Sequence, residues 1–112
     1  MKFVEHPISL NELKDMSKKM YGNLVKAVVD VDMEIMVVDV EMHVDAEQEL
    51  LEKGSYQKNL WGINIYPDKP RDTYIEFDSV INIRPSQGNT SRGVQDTNLQ
   101  KKIESIVQRL VI

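Results

Sequence analysis

Residues 24–42 read Leu24-Val25-Lys26-Ala27-Val28-Val29-Asp30-Val31-Asp32-Met33-Glu34-Ile35-Met36-Val37-Val38-Asp39-Val40-Glu41-Met42. They form two Val- and Ile-rich runs that alternate with period two around an acidic break, the pattern of paired strands. The spacing predicts strands over 24–31 and 34–42. Val25, Ala27, Val29 and Val31 share one face of the first, and Met36, Val38, Val40 and Met42 one face of the second. A turn at Asp32-Met33 sets Val29 opposite Met36, Ala27 opposite Val38 and Val25 opposite Val40. It also places Lys26 across from Asp39 on the other face, a favourable cross-strand pair. Asp-Met is a poor two-residue turn, because neither residue favours positive φ as Asn-Gly does, so a longer loop of the same parity serves equally.

Helical patterns flank this hairpin. Upstream, Ser9 and Glu12 form a capping box, Leu10, Leu13 and Met20 recur on one stripe, and Gly22-Asn23 closes the helix. Downstream, Asp45 and Gln48 cap a second helix whose apolar side is Ala46, Leu50 and Leu51, with Gly54 as its stop. A third strand runs over 60–66 with Trp61, Ile63 and Ile65 on one face. The two prolines in Pro67-Asp68-Lys69-Pro70 make a connecting loop. A fourth strand is expected over 74–84, with Ile75, Phe77, Ile81 and Ile83 together. Thr97 and Gln100 cap a last helix carrying Leu99, Ile103, Ile106, Val107 and Leu110. The order α-β-β-α-β-β-α predicts an α+β two-layer sandwich, a four-stranded, largely antiparallel sheet with its helices on one face.

Composition narrows the function. The chain has 112 residues, no cysteine and a formal charge of −4, which fits a single domain over 1–112 with its own core. Thiolate metal sites, disulfides and cysteine nucleophiles are excluded. No apolar run reaches the roughly 20 residues of a membrane span, and the N-terminus lacks a secretory pattern. A cytoplasmic protein with no membrane partner is expected. The acidic balance, without a basic stripe interleaved with aromatics, argues against nucleic acid. No motif calls for a cofactor. Asp30, Asp32, Glu34 and Glu41 fall on calcium-loop positions, but Ile35 stands where the sharp turn needs glycine.

The charges are unevenly spread. Residues 30–52 hold nine acids and no Lys or Arg, whereas 79–95 hold no acid and two of the four arginines. The acid-free loop Arg84-Pro85-Ser86-Gln87-Gly88-Asn89-Thr90-Ser91-Arg92-Gly93 leaves a strand and leads to a helix N-terminus. Its guanidiniums, hydroxyls, amides and glycines are suited to holding a small anionic ligand such as a phosphate, carboxylate or nucleotide. Arg84, Ser86, Gln87, Gly88, Asn89, Arg92 and Gly93 are the expected ligand contacts. The loop matches neither a P-loop nor a dinucleotide fingerprint, and the same groups also serve an ordered loop that satisfies its own backbone.

The sheet face away from the helices is the second candidate. By parity it carries Asp39, Glu41, His43, Asn64, Tyr66, Glu76, Asp78, Asn82 and Arg84. Residues two apart on a strand lie about 7 Å apart on one side. Glu76, Asp78 and His43 are the acid–base candidates of a hydrolase-type enzyme, and Asp39, Glu41 and His43 the candidate ligands of a metal; a solvated face with paired charges is the plain alternative. The same face carries Val28, Ile35, Val37, Leu60, Tyr66, Tyr74 and Val80. Its burial requires either a homodimer through the open face or a helix or terminus folded across it.

The stretches Leu60-Trp61-Gly62-Ile63-Asn64-Ile65-Tyr66-Pro67 and Ile75–Asn89, with Gly22–Lys26 and Ser91-Arg92-Gly93, resemble a family of small bacterial and archaeal proteins of unknown function. The resemblance runs along nearly the whole chain. It implies a single-domain prokaryotic cytosolic protein, and it carries no activity, cofactor or catalytic residue.

Overall fold

A computed structural model describes residues 1–112. Its helices are α1 (Leu10–Met20), α2 (His43–Glu52) and α3 (Thr97–Leu110). Its strands are β1 (Lys2–Val4), β2 (Val25–Asp30), β3 (Ile35–Val40), β4 (Leu60–Ile65) and β5 (Ile75–Glu76). They form one antiparallel sheet in the order β1-β3-β2-β4-β5. The α+β class is as expected, with five strands in place of four. The additional strand is β1, three residues that pair with β3 with Phe3 opposite Val37; so short a run carries no usable alternation.

The β2–β3 hairpin keeps the predicted register at its closed end, with Val29 opposite Met36 and Ala27 opposite Val38. Its loop is the longer variant. Asp30, buried, accepts from the backbone N–H groups of Asp32 (2.9 Å) and Met33 (3.0 Å) and from Ser55 Oγ (2.6 Å). A side chain therefore stabilises a turn that its own residues disfavour. The open end departs from the simple register. Asp39 adopts φ 63°, the register slips between Lys26 and Ala27, and Lys26 comes to face Val40. This is a β-bulge. It turns Val40 to the face of Val37, away from Met36 and Val38, and it dissolves the expected Lys26–Asp39 pair. Asp39 instead meets the N-terminal ammonium at 3.7 Å.

The helices lie on both faces of the sheet, which corrects the expected one-sided arrangement. On one face, Leu13 of α1 and Ile103, Ile106, Val107 and Leu110 of α3 pack over Val25, Ala27, Val29, Met36, Val38, Ile63 and Ile65. On the other, Ala46 and Leu50 of α2 pack over Val28, Val37, Val40 and Leu60. The reason is in β2 and β3, which place apolar residues on both sides, Ala27, Val29, Met36 and Val38 on one and Val28, Ile35 and Val37 on the other; strands of that kind need cover on each side. The face expected to lie open is thus closed by α2, and Tyr74, expected there, is buried with α1 and α3. Helix ends also differ by a residue or two. Ser9 caps α1 through Glu12 N–H (3.1 Å) as predicted. Asp96, not Thr97, caps α3, accepting from Asn98 and Leu99 N–H. Helix α2 starts at His43 behind Met42, which provides no side-chain cap.

The expected strand over 74–84 shrinks to β5, after which the chain folds into short 3₁₀ turns at Val80–Asn82 and Pro85–Gln87. Gly62 is the cause. A Cβ there would lie 2.6 Å from Ser79 Cβ and Oγ, so its absence admits the 79–82 turn against β4. Asn82 then replaces the missing strand: its Oδ1 accepts from Gly62 N–H (2.8 Å) and its Nδ2 donates to Gly62 C=O (3.0 Å). Gly62→Ala is expected to force this segment off the sheet and to cost about 1–3 kcal/mol, the range for overpacking a tight interior. Urea denaturation checks it; an unchanged midpoint would contradict the close approach.

Candidate functional site

The segment after β5 is held by two buried amides. Besides Gly62 C=O, Asn82 Nδ2 donates to Arg92 C=O (2.9 Å). Asn89 Nδ2 donates toward the carbonyls of Asn82 (2.7 Å) and Gly93 (2.8 Å), while its Oδ1 accepts from Gln95 N–H (2.9 Å). Ser79 N–H donates to Arg92 C=O (2.9 Å). These bonds fix Ser79 and Arg92 side by side, beside the N-terminus of α2.

Between them lies a cleft of about 350 Å³ lined by Lys26, Met42, His43, Val44, Ser79, Val80, Ile81 and Arg92. Lys26 reaches it from β2, on the same side of the sheet as Val28. Released from Asp39 by the bulge, its ammonium has no carboxylate partner and sits 5.3 Å from the Tyr21 ring centroid. Arg92 Nε donates to Asp78 Oδ1 at 2.6 Å. Both side chains are exposed, and such a pair is worth at most about 1 kcal/mol, so a bound anion can share Arg92 at little cost. Helix α2 contributes the partial positive charge of its first turn and N–H groups that no cap side chain occupies. Met42, Val44 and Val80 are exposed and give the cleft an apolar rim.

His43 is the one buried ionisable group in this wall, 7% exposed. Its Nε2 lies 2.8 Å from Ile63 C=O. A carbonyl only accepts, so Nε2 bears the hydrogen, and the lone pair of the neutral ring is on Nδ1. Burial lowers the His43 pKa and Lys26 adds to this, against the bond to Ile63 and the nearby Asp78 and Asn64. Asn64, also buried, donates from Nδ2 to Glu76 Oε1 (2.8 Å), while its Oδ1 has no partner. Tyr66 OH donates to Glu76 Oε1 (3.1 Å); burial first, and then Glu76, raise its pKa. Four other surface clefts, of about 300–470 Å³, have no buried ionisable group in their walls.

The expected ligand loop is divided. Arg84 turns inward. Its guanidinium donates to the carbonyls of Ile81 (3.1 Å), Gln57 (2.5 Å) and Leu60 and stacks 4.2 Å from the Trp61 ring. Burial lowers its pKa and Glu47 of α2 opposes this; Glu47 Oε2 is itself buried without a partner. Gln87 bonds Lys58 C=O (3.1 Å) and Arg84, and Gly88 closes the turn at φ 77°. Asn89 is a buried brace, Ser86 is exposed, and Gly93 N–H donates to Ser91 Oγ (3.2 Å). Arg84 and Arg92 share no partner, and only Arg92 faces the cleft.

The sheet-face residues are also redistributed. His43 belongs to α2, not a strand. Asp39 and Glu41 line a different cleft, with Met20 and Asp45. No group of three or more His, Asp or Glu side chains is placed to hold a metal ion. Glu76 serves Asn64 and Tyr66, and Asp78 serves Arg92. Lys26, Ser79 and Val44 were missed by sequence reasoning. Lys26 carried a readable signal, being the sole Lys or Arg between Lys19 and Lys53.

Two stability outcomes follow from this geometry. Arg84→Lys loses the forked donor set and is expected to cost roughly 1.5–3 kcal/mol in urea denaturation; a neutral result would remove Arg84 as a structural brace. The His43 pKa is lowered on folding, so protonation favours the unfolded chain. Its contribution to stability is present above the ordinary value of 6.5 and is lost as pH falls through the lowered one. Between pH 7.5 and 5.5 the wild type should therefore lose more stability than His43→Gln; equal losses would show that His43 does not carry it.

A family model described as "Protein of unknown function (DUF5674)" matches residues 2–110. The chain belongs to that family. No curated protein and no solved structure matches it.

Proposed function

We propose that the protein binds a small anion bearing an apolar group in the cleft between the N-terminus of α2 and the 78–81 segment. The observation that carries this reading is the convergence of an unpaired Lys26, a weakly held Arg92 and the uncapped first turn of α2 on one 350 Å³ concavity. Three positive sources meet there with no acidic side chain in the lining, although the chain as a whole carries −4. Oriented donors of this kind bind phosphate or carboxylate oxygens. The Met42, Val44, Val80 and Ile81 side chains suit the ligand's apolar portion.

Within the Arg84–Gly93 loop, this assigns ligand contact to Arg92 and a bracing role to Arg84 and Asn89. Anion binding is favoured over hydrolysis, because Glu76 and Asp78 are each engaged by a neighbouring donor.

A thermal-shift panel of phenyl phosphate, phenyl sulfate and benzoate tests the reading. A ligand at about 100 times its Kd stabilises by about 2.7 kcal/mol, several degrees of Tm in a chain of this size. At least one panel member should raise Tm by that order. The rise should disappear in Lys26→Ala and in Arg92→Ala and persist in Arg109→Ala, on the outer side of α3. No shift with any panel member, or shifts insensitive to Lys26 and Arg92, would refute the site.

A further inference from the structure

The cleft wall contains the His43 ring, whose Nε2 holds its only hydrogen against Ile63 C=O and leaves Nδ1 as an acceptor; next to it, outside the cleft lining, Asn64 Oδ1 is buried without a partner. Both residues are more than nine-tenths buried. An acceptor left unmatched is unfavourable, and the Ile63 carbonyl engages Nε2, not Nδ1. An anion that reaches Lys26 and Arg92 brings its oxygens to this wall. A fully deprotonated oxyanion would present only lone pairs to the His43 lone pair. An oxyanion that still carries a hydrogen would present an O–H donor.

We propose, building on the anion-binding reading, that the ligand is a phosphomonoester bound with a hydrogen on one phosphate oxygen, and that this O–H donates to His43 Nδ1. The second ionisation of a phosphomonoester falls near pH 6, so protonated phosphate is accessible at neutral pH. A sulfate ester or a carboxylate of the same shape is fully ionised there and has no hydrogen to donate. Lys26 and Arg92 hold the unprotonated oxygens, and the rim of Met42, Val44 and Val80 holds the ester substituent. The groups facing the imidazole are Lys26 from β2, the Ile63 carbonyl and Asn64 from β4, and Asp78 from the segment after β5. The positive and negative members oppose each other, and burial keeps the ring neutral at pH 7. It is then an acceptor for the phosphate proton.

The test is calorimetric titration at pH 7 with phenyl phosphate and phenyl sulfate, which share the apolar group. Phenyl phosphate should bind at least about tenfold tighter, each tenfold being about 1.4 kcal/mol. His43→Gln, whose amide can turn its NH₂ toward the ligand, should reduce that ratio severalfold. In the wild type, phenyl sulfate should gain affinity as pH falls through the His43 pKa, because Nδ1 then becomes a donor; this arm needs no variant. Equal or tighter binding of phenyl sulfate at pH 7 overturns the phosphomonoester assignment and leaves the anion site standing. Failure of both esters to bind overturns the assignment together with the site. A preference for phosphate that is unchanged in His43→Gln and independent of pH overturns the role of His43.

Discussion

The bond between the Asn82 amide and the Gly62 backbone is the constraint on which the site depends. A strand beyond β4 would ordinarily satisfy the outward N–H and C=O of Gly62, and β5 ends before reaching them. One side-chain amide makes both bonds, at 2.8 and 3.0 Å, and a third to Arg92 C=O. It can do so because residue 62 has no side chain to keep the turn away. A buried network of this kind stays favourable only when every member is satisfied. Asn89 completes it from the far side. Ser79, Val80 and Arg92 are thereby placed opposite α2, with no regular secondary structure needed to hold them.

The other wall comes from the sheet. Apolar residues on both sides of β2 and β3 draw α2 onto the face opposite α1 and α3. The bulge at Asp39 is compatible with this, since it turns Val40 toward Ala46 and Leu50. The same displacement leaves Lys26 without a carboxylate. A defect in strand pairing is thus coupled to a free cation at the cleft. The acid-rich stretch does not line the site: Asp30 organises a turn, Asp39 meets the N-terminus, and Asp45 and Glu41 line another cleft.

Where local chemistry and packing agreed, the fold was legible in the residues alone. Val29 opposite Met36, the Ser9 cap and the stripe Ile103–Ile106–Val107–Leu110 follow from spacing, and each is present. Asn64 and Glu76 were placed on one face by parity, and they bond across adjacent strands. The bulge was not legible, because a strand with apolar residues on both faces reads equally well in either register beyond Ala27. The alternation of Ile75, Phe77, Ile81 and Ile83 imitates a strand that Gly62 and Asn82 prevent, and that depends on contacts twenty residues apart in sequence. The arginine loop showed which residues are polar donors but not which way they point. Whether a guanidinium meets carbonyls, as Arg84 does, or a cleft, as Arg92 does, is decided by the tertiary packing around Trp61 and Asp78.

The central claim is that the cleft beside the start of α2, and not the tip of the arginine loop, receives the ligand. Backbone amide spectra recorded during a phenyl phosphate titration address it residue by residue. Shifts are expected to concentrate at Lys26, His43, Val44, Ser79 and Arg92, with Ser86, Gln87 and Gly88 unmoved. Shifts centred on Ser86–Asn89, or spread across the sheet without a focus at α2, would contradict it.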